Sequence, residues 1–206
     1  VTFGAINDNS VVVNWTDGGN SGGTRFELAE SADGGSYSTI YAGSDITYTH
    51  SSLTANTTHF YKVRAVNVDN IATNYNTANS THTTALVPGA VTFGAINDNS
   101  VVVNWTDGTN GAGTRYELQE APDGSTYATI YAGQNTTYTH NSLSANTTHF
   151  YKVRAVNVDL IPTSYNTANS THTTASVPGS TTFSIEGASS VTINLAADTN
   201  SAGTQY

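Results

Sequence analysis

Apolar and polar residues alternate along this chain in short runs. In Val11-Val12-Val13-Asn14-Trp15, the side chains of Val11, Val13 and Trp15 fall on one face and those of Val12 and Asn14 on the other. That is the period of a half-buried strand. The stretch from Leu53 to Asn67, LTANTTHFYKVRAVN, continues the pattern: His59, Tyr61, Val63 and Ala65 share one face, and Phe60, Lys62, Arg64 and Val66 the other. The alternation predicts a strand with a dry side and a wet side, and Tyr, Val and Phe suit such a surface. The polar run Thr54 to Thr58 predicts a loop tucked under that strand by Leu53. Further strands are expected over Thr2–Ile6, Ser10–Thr16, Thr24–Glu30, Tyr37–Ala42, Thr47–His50, Thr58–Asn67 and Ala78–Thr84. No segment shows an apolar stripe at helical spacing. Short strands separated by turn residues predict a β-sandwich. Its expected core is Trp15, Phe26, Leu28, Tyr48, Leu53, Tyr61 and Val63, with Trp15 large enough to centre it.

The pattern then repeats. Val1–Ala90 and Val91–Ser180 agree at 70 of 90 positions. The second core is Trp105, Tyr116, Leu118, Tyr138, Leu143, Tyr151 and Val153. Differences gather at Gly19–Ser36 against Thr109–Thr126 and at Ser44–Ile46 against Gln134–Thr136. These segments are rich in Gly, Ser and Asp and are expected to be loops, where change costs little. A third copy starts at Thr181 and is more distant, with Leu195 where Trp15 and Trp105 stand. Pro88-Gly89 and Pro178-Gly179 punctuate the copies, so the expected domains are 1–87, 88–177 and 178–206. The short linker Leu86–Ala90 favours a stiff string of domains over loose tethering. The chain opens inside a strand-like run and stops within the third copy, and so reads as a segment of a longer protein.

Several motifs together resemble a fibronectin type III domain. VTFGAINDNSVVVNW is similar to that family's A and B strands, TRFELAES to its C strand, YTHSSL to its E strand, and LTANTTHFYKVRAVN to its E–F loop and F strand. The resemblance implies an all-β chain of tandem seven-stranded immunoglobulin-like sandwiches. Two positions depart from it. Ala55 and Ala145 replace the usual loop proline. His59 and His149 replace the tyrosine whose hydroxyl ties the E–F corner to the backbone, and an imidazole nitrogen is expected to make a similar bond. Arrays of this Thr- and Asn-rich, cysteine-free kind look bacterial, and the resemblance implies an extracellular or cell-surface location. Its topology gathers the A–B, C–C′ and E–F loops at one end of a domain and the B–C and F–G loops at the other. Asp8, Asp33 and the Ser51–Thr57 loop are then expected to face Asp107 and Asp159, and Asp98 and Asp123 to face Asp198. Carboxylates that meet repel unless water separates them or a cation binds, and calcium takes such oxygen ligands. A solvated hinge without an ion is the plainer expectation.

Composition narrows the chemistry. Fifteen acidic against six basic residues give a formal net charge of -9. Nucleic acid and anionic membranes call for Lys and Arg clusters, so neither is an expected partner. No apolar run approaches the roughly 18 residues that would cross a bilayer. With no cysteine, there is neither a disulfide nor a thiolate metal site. The histidines come three per copy: His50, His59 and His82, then His140, His149 and His172. His50 and His59 flank one loop and can approach each other, but no third ligand lies at zinc spacing. A hydrogen-bonded His59 and an exposed His50 are expected. Glu27 and Glu30, three apart on a strand, point to opposite faces and cannot pair as acid and base. Arg25 and Glu27 on one outer face, beside Lys62 and Arg64 on the next, predict cross-strand ion pairs. Lys62 and Lys152 fall on the outer face, so no buried Lys–Asn isopeptide cross-link is expected. Asn-x-Ser/Thr occurs at Asn14, Asn56, Asn79, Asn104, Asn135, Asn146 and Asn169. No nucleophile elbow, phosphate loop or Arg-Gly-Asp motif is present.

These features converge on a non-catalytic stalk, adhesin shaft or filament subunit without a cofactor, calcium being the one candidate ion. Its expected partners are other copies of the chain, neighbouring repeats, or a cell-surface protein or polysaccharide. Two other readings stand beside it. The copies would also serve as spacers in a secreted polysaccharide-degrading enzyme, or bind sugar or protein through Tyr75 and Tyr165.

Overall fold

The computed structural model describes residues 1–196, 200 and 202. They contain strands and no helix. The chain forms two compact units. One comprises Val1–Val87 with Gly108–Arg115 and Ala155–Ser164, the other Pro88–Asp107, Tyr116–Arg154 and Tyr165–Tyr206.

In the first copy the strands are β1 (Thr2–Ile6), β2 (Ser10–Asn14), β3 (Arg25–Ser31), β4 (Ser38–Gly43), β5 (Thr47–Ser51), β6 (Thr58–Val66) and β7 (Asn79–His82). They make an antiparallel sheet β1-β2-β5 and an antiparallel sheet β4-β3-β6-β7. Val11, Val13, Trp15, Phe26, Leu28, Tyr61 and Val63 form one buried cluster. Burying that much apolar surface is the main force holding so small a sandwich together. Register decides what else turns inward. Leu28 stands opposite Val63 and Glu30 opposite Tyr61, so Glu30 joins the inner face, while Glu27 opposite Arg64 and Ala29 opposite Lys62 look outward.

The second copy repeats this with β8 (Thr92–Ile96), β9 (Ser100–Asn104), β10 (Arg115–Ala121), β11 (Ala128–Gly133), β12 (Thr137–Asn141), β13 (Thr148–Val156) and β14 (Asn169–His172). Its sheets are β8-β9-β12 and β11-β10-β13-β14. β15 (Thr182–Gly187) and β16 (Ser190–Asn194) pair as the opening hairpin of the third copy. Their apolar residues Phe183, Ile185, Val191 and Ile193 are exposed.

Every expected strand forms, with small differences at the ends. β2 stops at Asn14 because the amide of Trp15 turns to the carbonyl of Ile46, 3.0 Å away. Tyr48 and Leu53 lie at the margin of the core, half-buried rather than buried. Val66, expected on the wet face, is buried with 5% of its surface exposed. The returning chain covers it, through a bridge to Ala72.

Candidate functional site

The E–F corner carries the densest polar network, and its residues come from four elements. Asn56 takes a left-handed φ of 52°, which an asparagine tolerates. That turn brings the hydroxyls of Thr57 and Thr83 to the carbonyl of Thr54, donating at 2.6 and 2.7 Å. Thr83 is fully buried, and its oxygen also accepts the amide of Thr57 at 3.0 Å. His59 rises from the corner at the start of β6. Its Nδ1 lies 2.7 Å from Glu30 Oε1 and its Nε2 2.9 Å from Thr57 Oγ1. A carboxylate only accepts, so Nδ1 donates to Glu30, and because the Thr57 hydroxyl gives its one proton to Thr54 O, Nε2 donates to Thr57 Oγ1. The imidazole therefore holds the corner through side chains, not by the direct backbone bond expected of it, and Thr57 relays the tie to the Thr54 carbonyl. Thr147, His149, Glu120 and Thr173 reproduce the arrangement.

His50 completes the cluster. It is half-buried rather than exposed, because β5 turns it under the corner. Its Nδ1 meets the Tyr61 hydroxyl at 3.1 Å, and its ring lies 6.1 Å from that of His59. Burial pushes the Tyr61 phenol well above its usual range, with Glu30 adding to the effect. Burial lowers His50, opposed by the Glu30 charge and helped by His59. Both shifts favour a neutral pair in which the phenol donates to the imidazole.

Thr57, His59 and Glu30 line up in the manner of a hydrolase relay, beside a cleft of about 380 Å³ that Thr54, Asn56, Ala112 and Val158 also line. The donors an oxyanion needs are engaged elsewhere. The amide of Asn56 bonds to Thr84 O and that of Thr57 to Thr83 Oγ1. The Thr57 proton points at Thr54. The network is built to hold the corner.

Within the first unit, segment 108–115 grips this corner and the chain after β7. Asn110 accepts from the amide of Leu86 at 2.7 Å and donates to its carbonyl at 3.0 Å, as a strand neighbour would. Asn110 also forms a parallel bridge with Ala55, and the Gly111 amide donates to Ala55 O at 2.8 Å. A Cβ on Gly111 would come within 2.8 Å of Asn56 O, so a larger residue there needs the backbone to shift. The buried Asn56 side chain donates to Thr114 Oγ1 at 2.7 Å and accepts from the Val158 amide at 3.0 Å. Within the second unit, Asn200 clasps Ser176 in the same two-bond way and bridges Ala145. Sequence reasoning passed over this asparagine, although the same residue stands at positions 20, 110 and 200.

The four aspartates put forward as calcium ligands lie in different surroundings. Asp33 accepts the Ser31 hydroxyl at 2.7 Å and the amides of Gly35 and Ser36 at 2.8 and 3.1 Å. These bonds, the hydroxyl first, hold its pKa at about 2. Asp123 caps the equivalent turn through Ser125 and Thr126, and its pKa is lowered too. In the first unit Asp8 lines a cleft of about 340 Å³ with Thr84–Val87 and Ile161–Thr163. Asp159 lies 3.1 Å from the His82 ring. Asp107 belongs to the second unit, where its carbonyl accepts the Tyr116 hydroxyl at 3.3 Å. Asp98 is half-buried, and Asp198 lies outside the described residues. Among the described residues, no three His, Asp or Glu side chains come together as a metal site.

On the outer face, Arg64 and Glu27 form the expected ion pair at 2.6 Å. The Lys62 ammonium sits 3.6 Å from the centre of the Tyr37 ring and 4.7 Å from that of Tyr75. Lys152, Tyr127 and Tyr165 repeat it. Of the glycosylation motifs, Asn56 is buried, whereas Asn135 is exposed.

Residues 86–170 match the fibronectin type III domain family. The two-domain fibronectin type III segment from chicken tenascin superposes with a TM-score of 0.59, at 15% identity over 84% of this chain and 97% of that one. The chicken CNTN1 FN1–FN3 domains give a TM-score of 0.43 at 14% identity, covering 94% of this chain and 73% of theirs. The fibronectin type III domain of human fibronectin type III domain containing protein 3 gives 0.40 at 20% identity, over 44% and 86%. No curated protein matches the sequence. Residues 86–170 thus match the fibronectin type III domain family, and the chain has the fold of a tandem of such domains. Tandems of this kind are typically non-catalytic structural or adhesive modules.

Proposed function

We propose that the chain is a structural segment of an extracellular or cell-surface repeat protein: a stalk, an adhesin shaft or a filament subunit. One observation carries it. The peptide after β7 is clasped by Asn110 at Leu86, and the equivalent peptide by Asn200 at Ser176. Two main-chain bonds at each point suit a segment whose task is to hold its own connecting peptides straight. Small-angle scattering of the whole chain tests this. A rod-like particle is expected, with a broader distribution of lengths in Asn110→Ala. A compact particle, or a variant indistinguishable from the parent, would sink the shaft.

Asp33 and Asp159 are engaged elsewhere and no three carboxylates come together among the described residues, so the same maximum dimension is expected with calcium and with chelator, and a change would revive a stiffening ion. A role as spacer for a polysaccharide-degrading enzyme, in a bacterium or elsewhere, predicts a catalytic domain in the same polypeptide.

A further inference from the structure

Resting on the clasp that carries that structural reading, we propose that Asn110 is a modification site. Its side-chain amide is lost by attack of the Gly111 nitrogen, at a rate set by how often the clasp opens. Asn110-Gly111 is the chain's one Asn-Gly pair. Glycine is the residue that leaves this chemistry least hindered, because no side chain shields its nitrogen and its backbone turns freely. The equivalent asparagines, Asn20 and Asn200, are each followed by serine. The reactive pair therefore falls on the residue that grips Leu86, and on neither of its counterparts.

The reaction is a hydrolysis in two steps. The Gly111 nitrogen gives up its proton and bonds to Asn110 Cγ. The Cγ–Nδ2 bond breaks, and ammonia leaves with that proton, closing a cyclic imide. Water then opens the ring at either carbonyl. The product is aspartate, or isoaspartate where the main chain now runs through the side-chain carbon. Water is the sole co-reactant and ammonia the sole by-product.

Within the first unit, the clasp withholds both reactants. The Gly111 amide donates to Ala55 O at 2.8 Å, so its nitrogen is not free to attack. The Asn110 side chain is tied to Leu86 at its oxygen and at its nitrogen, 2.7 and 3.0 Å away. Gly111 is pinned from its other side too. Its carbonyl accepts the Thr114 hydroxyl at 2.7 Å, and that hydroxyl accepts from the buried Asn56 side chain at 2.7 Å. These bonds must break before the ring can close, so the reaction samples a local opening. The product cannot close again. An aspartate side chain accepts and does not donate, so the Leu86 carbonyl loses its donor and faces a second acceptor. Isoaspartate also lengthens the main chain beside the Ala55 bridge. A reversible opening is thereby recorded as a permanent one.

Timed peptide mapping by mass spectrometry, on the whole chain held in mildly alkaline buffer, tests the proposal. With the chain unfolded in urea, Asn110 should lose its amide faster than any other asparagine. In the folded chain the loss should be at least about tenfold slower. Thr114→Val removes the hydroxyl that pins Gly111 and should raise the folded rate at least about threefold. Asn200 clasps Ser176 in the same way but precedes a serine, and is the internal control that should keep its amide. Asn110→Asp supplies the product directly, and hydrogen exchange at its Gly111 amide should be at least about tenfold faster than in the parent. Circular dichroism confirms that each variant folds. Equal rates in the folded and unfolded chain overturn the proposal. So does a Thr114→Val rate like the parent's, loss at Asn200 as fast as at Asn110, or a Gly111 amide as protected in Asn110→Asp as before. Scattering separates this from the shaft: a rod with a stable Asn110 sinks the site alone, and a compact chain that loses the amide sinks the shaft alone.

Discussion

His59 and Lys62 stand three residues apart on β6 and meet opposite conditions. His59 turns inward, where a polar group without a partner costs about 1–3 kcal/mol, and it is met by Glu30 and Thr57. Lys62 turns outward, where water already satisfies the ammonium and two rings add a contact of about 0.5–1 kcal/mol. The inner face is thus held by a closed set of bonds, each member depending on the others, and the outer face by pairs that can be lost singly. The comparison teaches where substitutions in this fold should hurt.

The strongest test of the inner face is its apolar centre. Trp15→Ala should lower unfolding free energy by about 3–5 kcal/mol, a large share of the roughly 5–15 kcal/mol a domain has. Trp15 packs on Phe26 and Tyr41 with ring centres 6.3 and 5.8 Å away. A loss below about 1 kcal/mol in chemical denaturation would mean that Trp15 does not centre the core.

The polar cluster should come next. Glu30→Ala leaves His59 facing an empty inner position and should cost about 1–3 kcal/mol. Glu30→Gln, which can still hydrogen-bond, should cost less. Equal losses would show that the carboxylate is dispensable there.

Acid should find the same weakness. His50 and His140 are lowered below 6.5 chiefly by burial. A histidine whose folded pKa is depressed favours the folded chain while neutral. That contribution is whole above pH 6.5 and is lost as pH falls through the folded value. Each would add a slope of at most about 1.4 kcal/mol per pH unit. Urea midpoints at pH 7.5 and 5.5 should draw together in His50→Gln, and a slope unchanged by that substitution would contradict the burial argument.

A turn outside both faces sharpens the comparison between the copies. Asn70 and Leu160 hold equivalent positions with φ of 62° and 63°. Asparagine visits that region readily and leucine does not, so Leu160→Asn should stabilise by about 1 kcal/mol. A fall in the melting temperature of that variant would show that the exposed Leu160 packs on something in solution.

The smallest effect belongs to the outer face. The Arg64–Glu27 pair is part-exposed, and a double-mutant cycle should return about 0.2–1 kcal/mol, shrinking as salt rises. A coupling above 2 kcal/mol would erase the distinction between the faces.

Alternation made the apolar half legible in the sequence. Val11, Val13, Trp15, Tyr61 and Val63 are buried where period 2 puts them. The pairing of Glu30 with His59 was not legible, because 29 residues separate them and only the register of β3 on β6 makes them neighbours. Val66 was misplaced for a related reason: alternation says which side a residue faces, but not what crosses over it. The Asn110 clasp was visible as a residue recurring in all three copies, yet it looked like one more polar loop position in a chain full of them.

That clasp bears on how such a protein changes over generations. Asn56 and Asn110 belong to different copies, and each has its counterpart in the other, at Asn146 and Asn20. Each of the two full copies therefore carries both residues. Unequal recombination between repeats would delete or insert whole units and still leave matching ends. The length of the array is then free to vary among lineages, and selection can act on length without any new joint having to be invented.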